Sequence, residues 1–194
     1  MRISYLSVSG IRYVDIIGTE EGEFVMYPIH HLLLPSYRSL RIMSGDDLMT
    51  NELRTRLASR ISSSGSKVLA LWAMGLAEHV ASSVEDTDSV GEAVSLCSEG
   101  VDGYIEGSMD HGEVRRRVAR IRSLSRRVEG AERLALGAIG KALAVCDSRE
   151  DAMTASDYAV EVVRMLYPGD GGRVLEEYRW QIGYFNSIRG YSRM

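Results

Sequence analysis

Cysteine is scarce in this chain, which has only Cys97 and Cys146 among its 194 residues. Both lie in apolar, helix-like stretches without a paired spacing, so two buried free thiols are favoured over a disulfide, a metal site or a catalytic thiol. Long hydrophobic runs are also missing: no stretch of about 18 apolar residues occurs, and we predict no membrane span. The start shows no basic and apolar leader, so we expect a cytoplasmic protein.

Motifs that carry well-defined chemistry are missing as well. We find no phosphate-binding loop of the Walker or dinucleotide type, no Cys/His spacing typical of a metal site and no nucleophile elbow. The segment Gly169-Asp-Gly-Gly172 is rich in glycine, but it lacks the lysine and the preceding strand that a phosphate loop needs. These absences predict a protein that is not an enzyme, binds no cofactor and holds no metal.

The overall composition is that of an ordinary globular domain. Hydrophobic residues make up 45% and charged residues 26% of the chain, which is enough apolar material for one sizeable core. The formal net charge of -4 argues against a protein whose whole surface binds nucleic acid or anionic lipid, although a local patch can differ from this average.

Residues 1–45 contain short runs of β-branched and aromatic residues bounded by glycine, at 3–8, 11–17 and 23–29. Such runs predict strands, and the polar segment Gly18-Thr-Glu-Glu-Gly22 between two of them predicts an antiparallel hairpin. We therefore expect a small N-terminal β-meander. Because a sheet of this size is not stable alone in water, it should pack on the rest of the chain or on a partner.

From residue 46 to 194 the apolar residues recur at helical spacing, which predicts an all-α domain with a bundle of six to seven helices. The stretch from Leu69 to Val80 is apolar almost all the way round, as expected for a helix enclosed by others. Gly137 and Gly140 leave little bulk on one side of their helix and so permit close packing. The predicted helices span residues 46–62, 66–83, 88–105, 110–128, 131–147, 149–166 and 171–188. Pro168 and Gly169 predict the break between the last two, because proline lacks the N–H that would continue a helix and glycine favours a turn.

Five short motifs follow one another along this helical part. They are Leu69-Ala-Leu-Trp-Ala, Ala77-Glu-His-Val80, Glu92-Ala-Val-Ser, Ala138-Ile-Gly-Lys-Ala-Leu-Ala144 and Glu177-Tyr-Arg-Trp-Gln181. In this order they resemble the Imm5-like family of putative immunity proteins, over roughly residues 66–185. The resemblance implies an all-helical protein that neutralises a toxin by binding it, and it implies no catalytic residues. That family tends to carry histidines where this chain has Asp147 and Asp151.

Two groups of ionisable residues form a candidate polar site. Glu78 and His79 are neighbours on one helix, about 100° apart around its axis, and a hydrogen-bonded histidine at the helix end is favoured over a general base or metal ligand. Asp147 and Asp151, with Glu150 between them, could offer oxygen ligands to a divalent cation. The favoured interpretation is that Asp147 or Ser148 caps the next helix and that the acidic residues complement its dipole.

Segment 113–128 is rich in arginine. An apolar stripe on one side consists of Val114, Val118, Ile121 and Val128. The outer face could bind nucleic-acid phosphates, since each neutralised phosphate releases counterions, or an acidic protein partner. A solvated face balanced by nearby carboxylates is the favoured interpretation. The arginines concerned are Arg115, Arg116, Arg120, Arg122, Arg126 and Arg127.

Two functions from different classes remain open. The resemblance favours a protein-binding module of the immunity or antitoxin type, whose partner is a protein such as a toxin. The alternative is a nucleic-acid-associated protein that uses segment 113–128, although that segment has no aromatic residues on which bases could stack. Homo-oligomers are a further expectation, because the strands have open edges and because Trp180 and Tyr184-Phe185 could form an apolar patch.

Overall fold

The computed structural model describes residues 2–4, 14–18, 24–28, 45–85 and 87–191. The chain divides into two compact units, Met1–Ile42 and Met43–Met194.

The described residues of the first unit form three short strands, β1 (Arg2–Ser4), β2 (Val14–Gly18) and β3 (Phe24–Pro28). They pair antiparallel in the order β1-β2-β3, with Ile16 opposite both Ile3 and Met26. Residues 19–22 of the predicted hairpin turn lie outside the described residues. The predicted packing of this unit on the helices or on a partner stays a prediction.

The described residues of the second unit form seven helices, which confirms the prediction of a mainly α protein. All of the predicted helix bounds agree with the observed ones to within three residues. The helices are α1 (Gly45–Ser62), α2 (Ser66–Ala81), α3 (Asp88–Glu106), α4 (His111–Ser125), α5 (Gly130–Ala144), α6 (Asp151–Leu166) and α7 (Gly171–Tyr191).

Local chemistry explains several helix ends. Thr87 precedes α3 and its hydroxyl accepts a hydrogen bond from the Val90 N–H, while Asp110 caps α4 by accepting from the Glu113 N–H at 2.7 Å. Gly107 ends α3 in the left-handed conformation, with φ of 76°, that residues with side chains rarely adopt. The predicted break at Pro168 is present between α6 and α7.

Helix α2 is enclosed by other helices, as the sequence predicts. It packs against α3, α5, α6 and α7. Its side chains Leu69, Trp72 and Leu76 are all at most 1% exposed. Trp72 lies against Phe185 of α7, with ring centroids 5.6 Å apart. A helix that is apolar on nearly every face is stable only when other helices cover those faces, and here they do.

Helix α5 lies between α4 and α6, and its glycines permit close contact on both sides. A Cβ atom added at Gly137 would lie 2.8 Å from the ring of Tyr158, and one at Gly140 would lie 3.3 Å from Ile121. The close approach predicted for these glycines is therefore present.

The predicted helix 131–147 is longer than the observed α5. Its last three residues form a tighter turn, in which the Val145 and Cys146 N–H groups donate to Ala142 and Leu143, three residues back. Both side chains are buried, so their apolar character continues the helical pattern beyond the point where the α-helix ends.

Replacement of two glycines on α3 should have opposite effects on stability. A Cβ at Gly100 would lie 2.5 Å from Cδ1 of the fully buried Leu143, so we expect Gly100→Ala to lower the free energy of unfolding by about 1–3 kcal/mol. Nothing lies within 4 Å of a Cβ at Gly91, and Gly91→Ala should raise that free energy by about 0.5–1 kcal/mol through better helix propensity. Urea unfolding of both variants measures the difference; equal effects would contradict the packing described for α3 and α5.

Candidate functional site

Two of the sequence motifs, Ala77–Val80 on α2 and Glu177–Gln181 on α7, meet where these two helices pack together. His79, near the end of α2, has its Nε2 atom 2.9 Å from Oε2 of Glu177 on α7. The Glu177 side chain is 5% exposed and that of His79 is 27% exposed, so this pair leads from the protein interior to the surface. A histidine hydrogen-bonded near a helix end is the interpretation that the sequence favours.

The polar contacts continue inward from Glu177. Gln181 donates from Nε2 to Oε1 of Glu177 at 2.8 Å, and it accepts at Oε1 from the Ser156 hydroxyl at 2.6 Å. The indole N–H of Trp72 donates to the backbone carbonyl of Gln181 at 3.2 Å. Gln181 and Ser156 are fully buried. Because buried polar groups are costly when they are unpaired, this network fixes how α2, α6 and α7 meet.

Aromatic stacking covers the outer end of this network. The His79 imidazole is stacked on Trp180 with centroids 3.6 Å apart, and Trp180 is stacked on Tyr184 at 5.3 Å. The Tyr184 ring lies directly over Gly75, where a side chain would collide with it. The predicted apolar surface patch is wrong in one respect: Phe185 is 0% exposed and packs on Trp72 inside the core.

Arg115 and His111 of α4 both contact Asp147, which follows α5. The Arg115 Nε atom is 2.7 Å from Oδ2 of Asp147, and the His111 Nδ1 atom is 2.9 Å from Oδ1. This contact explains why Asp147 does not cap the next helix as predicted. Its carboxylate is held against α4 instead, and no side chain caps the start of α6. The Ser148 side chain does not cap it either.

Other arginines of α4 are paired with carboxylates of α3. Arg120 donates from Nε to Oε1 of Glu92 at 2.6 Å, and Arg117 donates from Nη1 to Oε2 of Glu99 at 2.8 Å. The side of α4 that faces α3 therefore carries balanced rather than free positive charge. A further carboxylate on α4 itself, Glu113, accepts from both Arg116 and Arg117.

These ion pairs stabilise the charged forms of both the arginines and the carboxylates. The hydrogen bond from Arg120 lowers the pKa of Glu92, and the one from Arg115 lowers the pKa of Asp147. In return, the hydrogen bonds to Glu92 and Asp147 raise the pKa values of Arg120 and Arg115. The carboxylates thus remain ionised in these pairs, and the paired arginines have fewer free donors for an external anion.

Arg122, Arg126 and Arg127 are exposed, and no described residue makes an ion pair with any of them. Of these three, Arg127 acts on Glu92 at longer range and contributes to lowering its pKa. The six arginines of the predicted anion or partner site thus fall into two groups, three that are paired with carboxylates and three that are not.

The structure does not bring the four residues of the predicted polar site together. Glu78 is exposed, whereas His79 pairs with Glu177. Asp151 pairs with Lys141, Oδ1 to Nζ 2.6 Å, while Asp147 pairs with α4. Among the residues that the structure describes, no group of three or more His, Cys, Asp or Glu side chains could hold a metal ion.

Sequence reasoning missed Glu177 as the partner of His79, because 98 residues separate the two. One signal was present: Glu177 and Gln181 are four residues apart in the terminal motif and therefore share a face of α7.

Both cysteines are free and buried, as the sequence predicts. Burial raises the pKa of the Cys97 thiol far above its usual value and raises that of Cys146 to about 11. Neither thiol is in the reactive thiolate form at neutral pH.

Within the described part of the chain, no helix combines the length and apolar character needed to cross a membrane.

Loss of the Asp147 carboxylate should reduce the pH dependence of stability. Its folded pKa lies below the ordinary value of 3.8, so the pair stabilises the fold above that value and this stability is lost as the pH falls through the folded pKa. We expect unfolding free energies of Asp147→Asn to fall less than those of the unmodified protein between about pH 5 and pH 3. Urea unfolding across this range measures it.

The matched control is Asp102→Asn, at an exposed aspartate of α3 that no described residue pairs with. Identical pH profiles for Asp147→Asn and the unmodified protein would show that the Arg115 pair has no role in acid stability.

A comparison with known families adds to this geometry. A family model described as Imm-5 like putative immunity protein matches residues 59–187. The chain belongs to this family. The match confirms the resemblance stated from the sequence motifs and covers more than half of the chain. It extends from the end of α1 into α7, and so includes both the His79–Glu177 network and α4. Neither the curated proteins nor the solved structures gave a match.

Proposed function

We propose that this Imm-5 like protein is an immunity protein that binds a protein toxin in the cytoplasm and neutralises it without catalysis. The observation that carries the proposal is the family match over residues 59–187. An immunity protein acts by covering its partner's surface, which requires a rigid scaffold more than a reactive group. The buried network between Trp72, Gln181 and Ser156 supports such a scaffold.

The charge arrangement of α4 supports a protein partner over nucleic acid. Arg115, Arg117 and Arg120 are each engaged by a carboxylate, and a surface of alternating charge is less suited to a run of phosphates than a surface of one sign. A nucleic-acid-associated role is the second candidate. Its support is the group of exposed arginines without ion pairs, Arg122, Arg126 and Arg127.

We further propose that β1 to β3 form the predicted β-meander and that its open edge pairs with a partner or a second copy of the chain. Sedimentation of the purified protein tests self-association. A mass that rises with concentration is expected for pairing with a second copy, and a constant monomer mass would contradict self-association.

Capture of the partner tests the main proposal. The tagged chain is isolated from its native cells at low and high salt, with and without nuclease, and the bound material is identified. We expect one stoichiometric protein that stays bound at high salt and after nuclease, because an interface with an apolar core is only weakly screened. An unrelated helical protein with the same tag is the control.

The captured protein is then produced alone in a test host. The proposal requires that it arrests growth. Bound material that is nucleic acid, and that is lost at high salt, would instead support the second candidate.

A further inference from the structure

A groove lies on the outer side of α5, between α4 and α6, and has a volume of about 450 Å³. Its lining residues recur every three to four positions along α4 and α5, so they form one stripe on each helix. We name it the α4–α6 groove and define it by Arg122 of α4, Arg133, Gly137 and Lys141 of α5, and Tyr158 and Met165 of α6.

Gly137 and Gly140 line the groove, and their lack of side chains lets Tyr158 of α6 and Ile121 of α4 approach α5 closely. The Tyr158 ring lies against Gly137 and is itself part of the groove lining. On one side of the groove, Met165 is 52% exposed, although the side chain of a methionine is apolar. Met165 therefore adds exposed apolar surface to the lining of the groove.

The charged residues of the α4–α6 groove are all basic. Arg122 and Arg133 are exposed, and no described residue makes an ion pair with either. Lys141 also lines it, but its charge is balanced by Asp151. The unpaired arginines of the groove differ from the arginines on the side of α4 that faces α3, which are neutralised by carboxylates. Two free guanidinium groups beside an apolar floor are complementary to carboxylates that flank an apolar side chain.

We propose that the α4–α6 groove is the docking surface for an acidic segment of the protein partner, with a bulky apolar side chain of that segment in the groove and carboxylates on Arg122 and Arg133. The inference rests on the proposed function for the identity of the partner as a toxin. The groove volume lies in the range of sites that enclose small molecules, which is ample for one large side chain.

The test uses a labelled short peptide in which glutamate alternates with leucine and phenylalanine, and its binding to the full chain is followed by fluorescence anisotropy. We expect Arg122→Glu/Arg133→Glu to weaken binding by about tenfold or more, because two charge-assisted contacts become repulsive. The matched control is Arg127→Glu/Arg179→Glu, which makes the same change in net charge at exposed arginines outside the groove, and its affinity should stay within about twofold.

The apolar part of the surface is tested with a second pair of variants. Met165→Ser should weaken the peptide by about fivefold or more through loss of apolar contact. Met49→Ser alters a methionine of similar exposure on α1 and should have no effect. All four variants change exposed side chains, and circular dichroism checks that each is folded.

Three results would overturn the assignment: no binding of the peptide, equal weakening by the two double variants, or equal binding of a peptide with lysine in place of glutamate. Binding of a single-stranded oligonucleotide that depends on Arg122 and Arg133 and displaces the peptide would also overturn it, in favour of a phosphate site. The peptide assay needs no toxin. Its result can therefore contradict the assignment of the groove while growth protection supports the proposed function, or support the groove while growth protection fails.

Discussion

Trp72→Ala is expected to lower the free energy of unfolding by about 3–5 kcal/mol, the largest effect of any single substitution considered. Trp72 is fully buried on the enclosed helix α2, where its ring packs against Phe185 of α7. Truncation removes this contact and leaves a cavity that the surrounding helices can fill only in part. It also removes the donor to the Gln181 carbonyl.

Chemical unfolding followed by far-ultraviolet circular dichroism measures this loss, since fluorescence would be changed by the substitution itself. Trp72→Phe is the matched control, because it keeps an aromatic ring against Phe185 and loses the N–H group. A smaller loss is expected for it. A loss below about 1 kcal/mol for Trp72→Ala would contradict the central position of this side chain.

Gln181→Ala is expected to lower the free energy of unfolding by about 2–4 kcal/mol. The substitution leaves the buried Ser156 hydroxyl without its acceptor and removes one of the two hydrogen bonds to the Glu177 carboxylate. Buried polar groups that lose a partner retain the full cost of leaving water, so the loss should exceed that of an exposed hydrogen bond. Urea unfolding at neutral pH measures it.

A double-mutant cycle with Ser156→Ala separates the network from simple packing. We expect Ser156→Ala to be destabilising in the unmodified protein and nearly neutral in the Gln181→Ala background, since the hydroxyl then has no partner to lose. Strict additivity of the two substitutions would show that the Ser156–Gln181 hydrogen bond does not stabilise the fold.

The helical fold was largely predictable because its signals are local. The apolar stretch around Trp72 indicated an enclosed helix, and Pro168 with Gly169 indicated the break before α7. Both are short-range effects of periodicity and backbone geometry. The end of α5 was misplaced for the same reason, because the buried Val145 and Cys146 continue the pattern in a tighter turn.

The candidate site was less predictable, because its contacts join distant parts of the chain. His79 was correctly favoured as a hydrogen-bonded residue, but nothing near it in the sequence identified Glu177. Asp147 was assigned to the helix that follows it, whereas Arg115, 32 residues earlier, holds it. Ion pairs of this kind depend on how helices cross, and helix crossing is not encoded in the pattern of one segment.

Growth protection measures most directly whether this protein neutralises a toxin by binding it. Host cells would produce the captured partner alone, with this chain, or with the Trp72→Ala variant as a destabilised control. We expect growth arrest by the partner alone, full recovery with the unmodified chain and reduced recovery with the variant. Growth arrest that persists when the unmodified chain is present at equal or greater amounts would contradict neutralisation by this chain.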